Sequence, residues 1–534
     1  MKKFFRLLFS GYIFIFIALI IEIGVLAFFQ FAFDDVVLGI LKLFNVDTTA
    51  GWISYVVSGL GYVLVKGVSF FIAFLIFLRI VNKEEDPEFK IPWIVAMIMF
   101  PFLTSVVYLI FGNHGLRKKD RMVVEGSINA YNYHFRLNEE RKNKYVEELG
   151  NASGAFKYIF NTTHLGVHKN NRVTYYKNGE TFFPAFIEGL KRAKEFIFIE
   201  FFIISDGKEW DIVKEILIQK AREGVDVRVI YDDMGCTGTL KMGTYNKLRR
   251  KGIKVYKFHP FRPILSGVFN NRDHRKIVII DHQMAFTGGI NLADEYANEI
   301  KRFGYWKDTM VKIEGSAINN LLTIFLQNYN LCTLSVSDYN MYLMHEYEKF
   351  DDEGFVMPFG DGPGGIDNAL IGEQNYINIL NYAKRKVYIS TPYLIPTYEL
   401  LDAMKNAALR GVEVNLIVPG IPDKKIVYMI AKRNFHFLLE AGVNIYTYTP
   451  GFNHMKSAMA DDELAFVGTI NFDFRSLVHH FECGTILYKC NCMNEIRDDF
   501  IEMMEASKKV DKNYKQFFLL RWLCSILKLI TPLL

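Results

Sequence analysis

His274-Arg-Lys276-Ile-Val-Ile-Ile-Asp281, followed by Gly288-Gly-Ile-Asn291, is written a second time in this chain as His454-Met-Lys456-Ser-Ala-Met-Ala-Asp461, followed by Gly468-Thr-Ile-Asn471. His, Lys, Asp, Gly and Asn match at a constant offset of 180 residues. A lone His-x-Lys on a strand is ordinarily edge or surface decoration; two copies in register are not coincidence. Side chains two apart on a strand share a face, so His274 and Lys276 point one way, as do His454 and Lys456. Gly288 and Gly468 permit close backbone approach ahead of Asn291 and Asn471.

The duplication extends outward. Ala193-Lys-Glu-Phe-Ile-Phe-Ile-Glu-Phe-Phe-Ile parallels Ala383-Lys-Arg-Lys-Val-Tyr-Ile-Ser-Thr-Pro-Tyr. Arg222-Glu-Gly-Val-Asp-Val-Arg-Val-Ile parallels Arg410-Gly-Val-Glu-Val-Asn-Leu-Ile-Val, each with a helix ending on a glycine suited to a left-handed cap, Gly224 or Gly411, before an alternating strand. Lys251-Gly-Ile-Lys-Val-Tyr parallels Ala441-Gly-Val-Asn-Ile-Tyr. Strand–helix–strand order at this spacing predicts βαβ units and a largely parallel sheet. The fold class is α/β: two lobes with pseudo-two-fold symmetry, at 171–335 and 371–510, joined by 336–370 with its loop signal Gly360-Asp-Gly-Pro-Gly-Gly.

Packed about such an axis, two His, two Lys and two Asn converge on one cleft. Lys276, Lys456, Asn291 and Asn471 can hold a phosphate's oxygens and stabilise the charge of a pentacoordinate state. One His can attack phosphorus while the other protonates the departing oxygen. The Lys pair supplies the positive charge, so neither a metal nor a cofactor is expected. Lys interrupts each candidate ligand set, and Cys490-Asn-Cys492 has no partner pair. The candidate catalytic set is His274, Lys276, Asp281, His454, Lys456 and Asp461. Within it Asp281 and Asp461, further along each strand, are expected as structural ion-pair partners.

Composition bounds the rest. The chain has 534 residues, 51% apolar and 15% aromatic, and a net charge of +5. That excludes disorder and argues against a chain built to grip nucleic-acid phosphates. Six Cys make no disulfide scaffold; they read as reduced thiols. The average hides a step: residues 1–112 hold only eight basic and eight acidic residues, and the 422 that follow hold 55 and 50. Leu7–Phe33, Val56–Leu78 and Ile91–Phe111 are each long and apolar enough to cross a bilayer. Residues 1–112 are therefore expected to be a multi-pass anchor of two or three helices. Lys2, Lys3 and Arg6, and again Arg117, Lys118, Lys119 and Arg121, favour the cytoplasmic side, which both can do only with an even number of spans. Residues 113–170 read as a juxtamembrane linker, and 511–534 as a short amphipathic helix that either lies in the interface or packs on the body.

The duplicated motif resembles the phospholipase D superfamily, and more closely its bacterial cardiolipin synthases. Tyr231-Asp-Asp-Met-Gly, Asn291-Leu-Ala-Asp-Glu-Tyr, Phe303-Gly-Tyr-Trp-Lys-Asp308-Thr, Ser390-Thr-Pro-Tyr-Leu-Ile-Pro396 and Arg475-Ser476 carry the likeness. Apolar helices around 70–112, with Pro92-Trp93 between them, look like that family's membrane hairpin, and the first 60 residues look like an addition to it. The resemblance implies a ping-pong phosphatidyl transfer. One His takes the phosphatidyl group from phosphatidylglycerol and releases glycerol, and a second phosphatidylglycerol then accepts it, giving cardiolipin. It also implies His274 as nucleophile, His454 as general acid/base, and Asp308 and Glu482 as the acids that orient them. The catalytic domain is expected at the cytoplasmic face of the cell membrane; an oligomer is left open. Glu200 and Tyr393 are expected either to line the pocket or to pack. A hydrolytic phospholipase D, a transferase with another acceptor lipid, a nuclease and a non-catalytic lipid-binding scaffold are the alternatives.

Overall fold

Runs such as Phe196–Phe201 and Lys276–Ile280, buried at every position, are strands covered on both faces. The computed structural model describes residues 67–68, 70–85, 87–112, 115–136, 145, 148–260, 270–363 and 369–530. The described residues up to 112 belong to one compact unit, and those from 115 to 530 to another.

The larger unit is organised by two sheets. The first holds β1 (Arg172–Tyr176), β2 (Phe196–Phe201), β3 (Asp226–Asp232), β4 (Lys254–Phe258), β5 (Lys276–Ile280), β6 (Met284–Gly288) and β7 (Met310–Glu314), in the order β1-β7-β6-β5-β2-β3-β4. The second holds β8 (Phe355–Asp361), β9 (Lys386–Ser390), β10 (Glu413–Pro419), β11 (Asn444–Tyr448), β12 (Ser457–Ala460), β13 (Leu464–Gly468) and β14 (Glu482–Tyr488), in the order β8-β14-β13-β12-β9-β10-β11. The two orders are the same order twice. His168–Lys169 and Ser507–Lys509 extend the edges of the second sheet.

The sheets are mixed, which corrects the expectation of largely parallel ones. Only β2–β3–β4 and β9–β10–β11 run parallel, through the helices Lys208–Arg222 and Tyr398–Leu409 and the expected left-handed glycines 224 and 411. The motif strands β5 and β12 are antiparallel to both neighbours. Each turns tightly into the next strand, at 281–283 or 461–463, leaving no room for a crossover helix.

Those turns also decide the fate of the motif aspartates. Asp281 adopts φ 52° and accepts hydrogen bonds from the backbone N–H groups of Lys194, Glu195 and Phe196. Asp461, at φ 53°, does the same for Lys384, Arg385 and Lys386. They are structural, but they anchor the hairpin to the start of the neighbouring strand rather than forming side-chain ion pairs.

Two boundaries shift. The linker expected at 113–170 carries the helices Lys118–Arg136 and Ser153–Thr163, whose Val124, Tyr131, Phe156 and Ile159 are buried in the main core. The connection expected at 336–370 contains β8. The helix Ile318–Thr333 buries Leu321, Leu322 and Phe325 among residues of both sheets, including Phe198, Ile277, Val356 and Met357, so the halves share one core.

In the smaller unit, residues 70–82 are helical, followed by Pro87–Met99 and Pro101–Phe111. Ala73, Ile76, Ile80, Trp93, Met97 and Tyr108 form its interior. Pro92-Trp93 sits inside the second helix rather than between helices, and Phe100-Pro101 breaks the stretch expected to be one continuous span. No helix among the described residues is long and apolar enough to cross a membrane. Leu7–Phe33 and most of Val56–Leu78 lie outside the described residues. At the other end, the helix Phe518–Ile530 packs on the helix Lys425–Glu440, where the Cys524 thiol and the Gln516 side chain donate to the Met429 carbonyl.

Candidate active site

The two motif strands meet the opposite half of the molecule through backbone pairing. The His274 N–H donates to the Phe481 carbonyl at 2.9 Å, and the Phe481 N–H to the Arg272 carbonyl at 2.8 Å. In the other half the His454 N–H donates to the Lys307 carbonyl at 2.7 Å, and Gly451–Asn453 pairs with Tyr305–Lys307 as a short parallel ribbon. The residue after Phe481 is Glu482; the residue after Lys307 is Asp308. Backbone pairing thus delivers each acid to the histidine of the other half.

The imidazole of His274 donates from Nδ1 to Glu482, with both carboxylate oxygens at 2.9 Å. That of His454 donates from Nδ1 to Asp308 Oδ2 at 2.5 Å. Among the described residues nothing hydrogen-bonds to either Nε2. The His274 and His454 side chains keep 7% and 10% exposure, while Lys276 and Lys456 have none. Hence Nε2 is the nitrogen of each imidazole without a partner among the described residues.

Burial dominates the electrostatics. It pushes His274 down to about 3 and His454 down to about 4, so both imidazoles are neutral at pH 7, with Lys276 and Lys456 reinforcing the effect against the nearby carboxylates. Burial also pushes Lys276 down to about 7 and Lys456 down to about 8, with partial restoration by Glu482 and Asp308. Burial opposes ionisation of the two acids, yet His274 and His480 beside Glu482, and Lys456 and His454 beside Asp308, hold both below the usual carboxylate range. Lys276 responds to Lys456 and Asp308 as well as to Glu482, so the two half-sites form one electrostatic site.

Close approach is built into the loops after the motif strands. Gly288 has φ 157°, and a Cβ there would lie 2.7 Å from Met310 Cα. A Cβ at Gly289 would overlap the Asp308 carboxylate. In the other half the matching position is Thr469, whose hydroxyl donates to Glu482. Ser476 Oγ also donates to Glu482, at 2.5 Å.

The two asparagines are placed unequally. Asn291 Oδ1 accepts from the Ile203 N–H at 3.0 Å and its Nδ2 donates to the Tyr296 hydroxyl at 2.7 Å, so it is engaged in holding its loop. Asn471 Oδ1 is buried without a hydrogen-bond partner among the described residues. Glu200 lies fully buried and accepts from Asn328 Nδ2, and the Tyr393 hydroxyl donates to Asp423; neither is hydrogen-bonded to the paired histidines.

Sequence reasoning missed His480. Its ring centroid lies 5.4 Å from that of His274, and its Nδ1 lies 3.5 Å from Glu482. The His479-His480-Phe481-Glu482 run was the available signal, because the residue two before an orienting acid shares its face.

Comparison with known proteins identifies the family. A family model described as "Cardiolipin synthase, PLD-like domain" matches residues 186–323 and 376–504, and one described as "Phospholipase_D-nuclease N-terminal" matches 71–113. The chain is 35% identical to cardiolipin synthase 2 of Bacillus anthracis over 86% of this chain and 90% of that one. It is 33% identical to cardiolipin synthase of Geobacillus thermodenitrificans over 93% and 98%. An uncharacterized protein of Streptococcus mutans is 41% identical over 86% and 99%. The fold resembles that of phosphatidylserine synthase from Haemophilus influenzae, with TM-score 0.55 at 16% identity, over 72% of this chain and all of that one. With two matched copies of the motif domain and relatives of this identity along most of its length, the chain belongs to the cardiolipin synthase family of phospholipase D-like proteins.

Proposed function

We propose that this protein is a membrane-bound phosphatidyltransferase that makes cardiolipin from two molecules of phosphatidylglycerol, with release of glycerol. The observation that carries this is the pair of imidazoles, each held at Nδ1 by a carboxylate from the opposite half with no partner at Nε2 among the described residues, beside two buried lysines.

His274 Nε2 attacks the phosphorus of phosphatidylglycerol. The bond from phosphorus to the headgroup oxygen breaks, and that oxygen takes a proton from His454, so glycerol departs and phosphatidyl-histidine remains. His454 then takes the proton from the terminal hydroxyl of a second phosphatidylglycerol, whose oxygen attacks phosphorus as the bond to His274 breaks. Lys276 and Lys456 neutralise the extra charge of each pentacoordinate state without a metal. His454 must be protonated for the first step. The anionic phosphodiester favours that form, because its charge opposes the burial and the two lysines that hold His454 down. Asn471, with its buried free Oδ1, is the better placed of the two asparagines to engage the bound headgroup.

Both substrates are bilayer lipids, so the cleft works at a headgroup plane. Residues 1–112 serve as a multi-pass anchor: the helices at 70–111 expose Phe71, Phe74, Ile98 and Leu109 on the side away from their shared interior. The helix Phe518–Ile530 supplies a second attachment. One face packs on Lys425–Glu440, while Phe518, Leu519, Trp522 and Ile526 are exposed beside Arg521 and Lys528. The catalytic body faces the cytoplasm.

Purified protein given labelled phosphatidylglycerol tests the assignment. Cardiolipin and glycerol in equal amounts are expected, in excess EDTA as well as without it. Phosphatidic acid without cardiolipin would identify a hydrolase instead, and a mixed diphosphatidyl product only with another added lipid would identify a different acceptor.

A further inference from the structure

Among the described residues, three side chains of the kind that bind zinc-class ions converge beside His274, and no such group lies beside His454. His274, His480 and Glu482 each offer one ligand atom, and these atoms lie within 4.8 Å of one another. Glu482 Oε1 is 2.9 Å from His274 Nδ1 and 3.5 Å from His480 Nδ1. Around a tetrahedral Zn²⁺ with bonds near 2.0–2.1 Å, ligand atoms stand about 3.4 Å apart, close to the two separations from Glu482. The carboxylate is already oriented by the hydroxyls of Ser476 and Thr469, the kind of outer support that metal ligands require. The same place in the other half is filled differently. Met310 pairs with Gly288 as Gly484 pairs with Gly468, which puts Trp306 where His480 stands. An indole nitrogen donates a hydrogen bond but offers no lone pair to a metal.

We infer that this half of the cleft is an inhibitory site for one borderline divalent transition-metal ion, held by His274, His480 and Glu482. Two imidazoles and one carboxylate select zinc-class ions over Mg²⁺ and Ca²⁺, which take oxygen ligands. Inhibition follows from the tautomer. In the free site the His274 proton sits on Nδ1, facing Glu482, and the Nε2 lone pair is free. A metal bound at Nδ1 uses that lone pair, so the proton moves from Nδ1 to Nε2. The nitrogen that would attack phosphorus then carries hydrogen instead of a lone pair. Binding of the ion stands independently of the proposed reaction; only its effect on turnover rests on the phosphatidyltransferase reading.

The full-length protein in detergent, stripped with EDTA, is titrated with Co²⁺ and Zn²⁺ in the absence of lipid. One Co²⁺ per chain with the visible absorption of a tetrahedral nitrogen–oxygen site, displaced by Zn²⁺, is expected. Turnover of labelled phosphatidylglycerol should fall in proportion to occupancy, recover with EDTA, and be unmoved by equal Mg²⁺. His480→Asn and His480→Gln should each weaken Co²⁺ binding and Zn²⁺ inhibition together by at least ~10-fold, with unfolding midpoints like that of the parent. Absence of Co²⁺ binding, an intense thiolate charge-transfer band, or unchanged affinity in both variants would overturn the site. Binding without loss of turnover would overturn the inhibition. A His480-dependent Co²⁺ spectrum in a protein that makes no cardiolipin would sink the proposed function and leave the metal site standing.

Discussion

The two half-sites share a strand order and a pairing scheme, yet His274 has one phenyl ring, Phe202 at 4.9 Å, and a carboxylate fixed by hydroxyls, whereas His454 has three aromatic rings and a carboxylate shared with an ammonium. Glu482 receives His274, the hydroxyls of Ser476 and Thr469, and the nearby His480. Asp308 receives His454, the Thr309 N–H and, at 3.4 Å, the Lys456 ammonium, while Tyr296, Trp306 and Phe452 rings stand 5.4 to 5.7 Å from the His454 ring. The repeated strand order places both imidazoles; the residues around them differ. A carboxylate fixed by hydroxyls locks one tautomer, which suits a nucleophile. A carboxylate shared with an ammonium 2.6 Å from His454 Nδ1 suits a group that loads and unloads a proton.

The hardest test of that division is removal of each imidazole. His274→Ala should abolish both cardiolipin and any trapped phosphatidyl-enzyme. His454→Ala should slow turnover by about 10²–10⁴-fold while the intermediate still forms slowly with labelled lipid. The opposite assignment of intermediate would exchange the two roles. The crossed acids come next. Glu482→Gln should suppress formation of the phosphatidyl-enzyme together with glycerol release, and Asp308→Asn should slow transfer from the phosphatidyl-enzyme to the acceptor lipid so that the intermediate accumulates, each by roughly 10²-fold or more. Pairing within each half, rather than across, would exchange these outcomes in single-turnover assays.

The lysines offer a smaller, pH-dependent contrast. Their ammonium charge is needed and is lost as pH rises through about 7 for Lys276 and about 8 for Lys456. kcat/KM should therefore decline on the alkaline side. The limb of kcat should lie higher, because bound phosphodiester favours the charged form; coincident limbs would show that neither lysine meets the phosphate. Smallest in chemistry is the aspartate pair. Asp281→Asn and Asp461→Asn should each lower the unfolding free energy by about 1–3 kcal/mol, read by denaturant titration, with turnover per folded molecule preserved in both. A turnover defect in only one would move that aspartate into the catalytic site.

The repeat of His-x-Lys made the doubled architecture and the cleft legible because both depend on local period and constant offset. What the sequence withheld was long-range. Asp308 and Glu482 stand out as acids behind each motif, but whether each serves its own histidine is decided by backbone pairing between Phe481 and His274 and between Lys307 and His454. The antiparallel setting of β5 and β12 follows from tight turns that the βαβ periodicity of the neighbouring segments obscures. Asn291 reads as a phosphate ligand from its place in the motif, while its hydrogen bond to the Tyr296 hydroxyl, five residues on, shows only in the structure. The expected linker at 113–170 is poorer in strand signals than the lobes, so its burial shows only through the partners that cover Tyr131 and Phe156.

The short ribbon of Tyr305–Lys307 on Gly451–Asn453 has a consequence for how such a chain is assembled. A polypeptide holding one motif half would carry a histidine without its acid and an acid without its histidine. It would acquire function only by meeting a second copy about a two-fold axis, at a rate set by concentration. Joining both halves in tandem turns that encounter into an intramolecular event, independent of dilution in the membrane plane. It also releases the copies from identity, so that one may keep a tryptophan where the other holds a histidine.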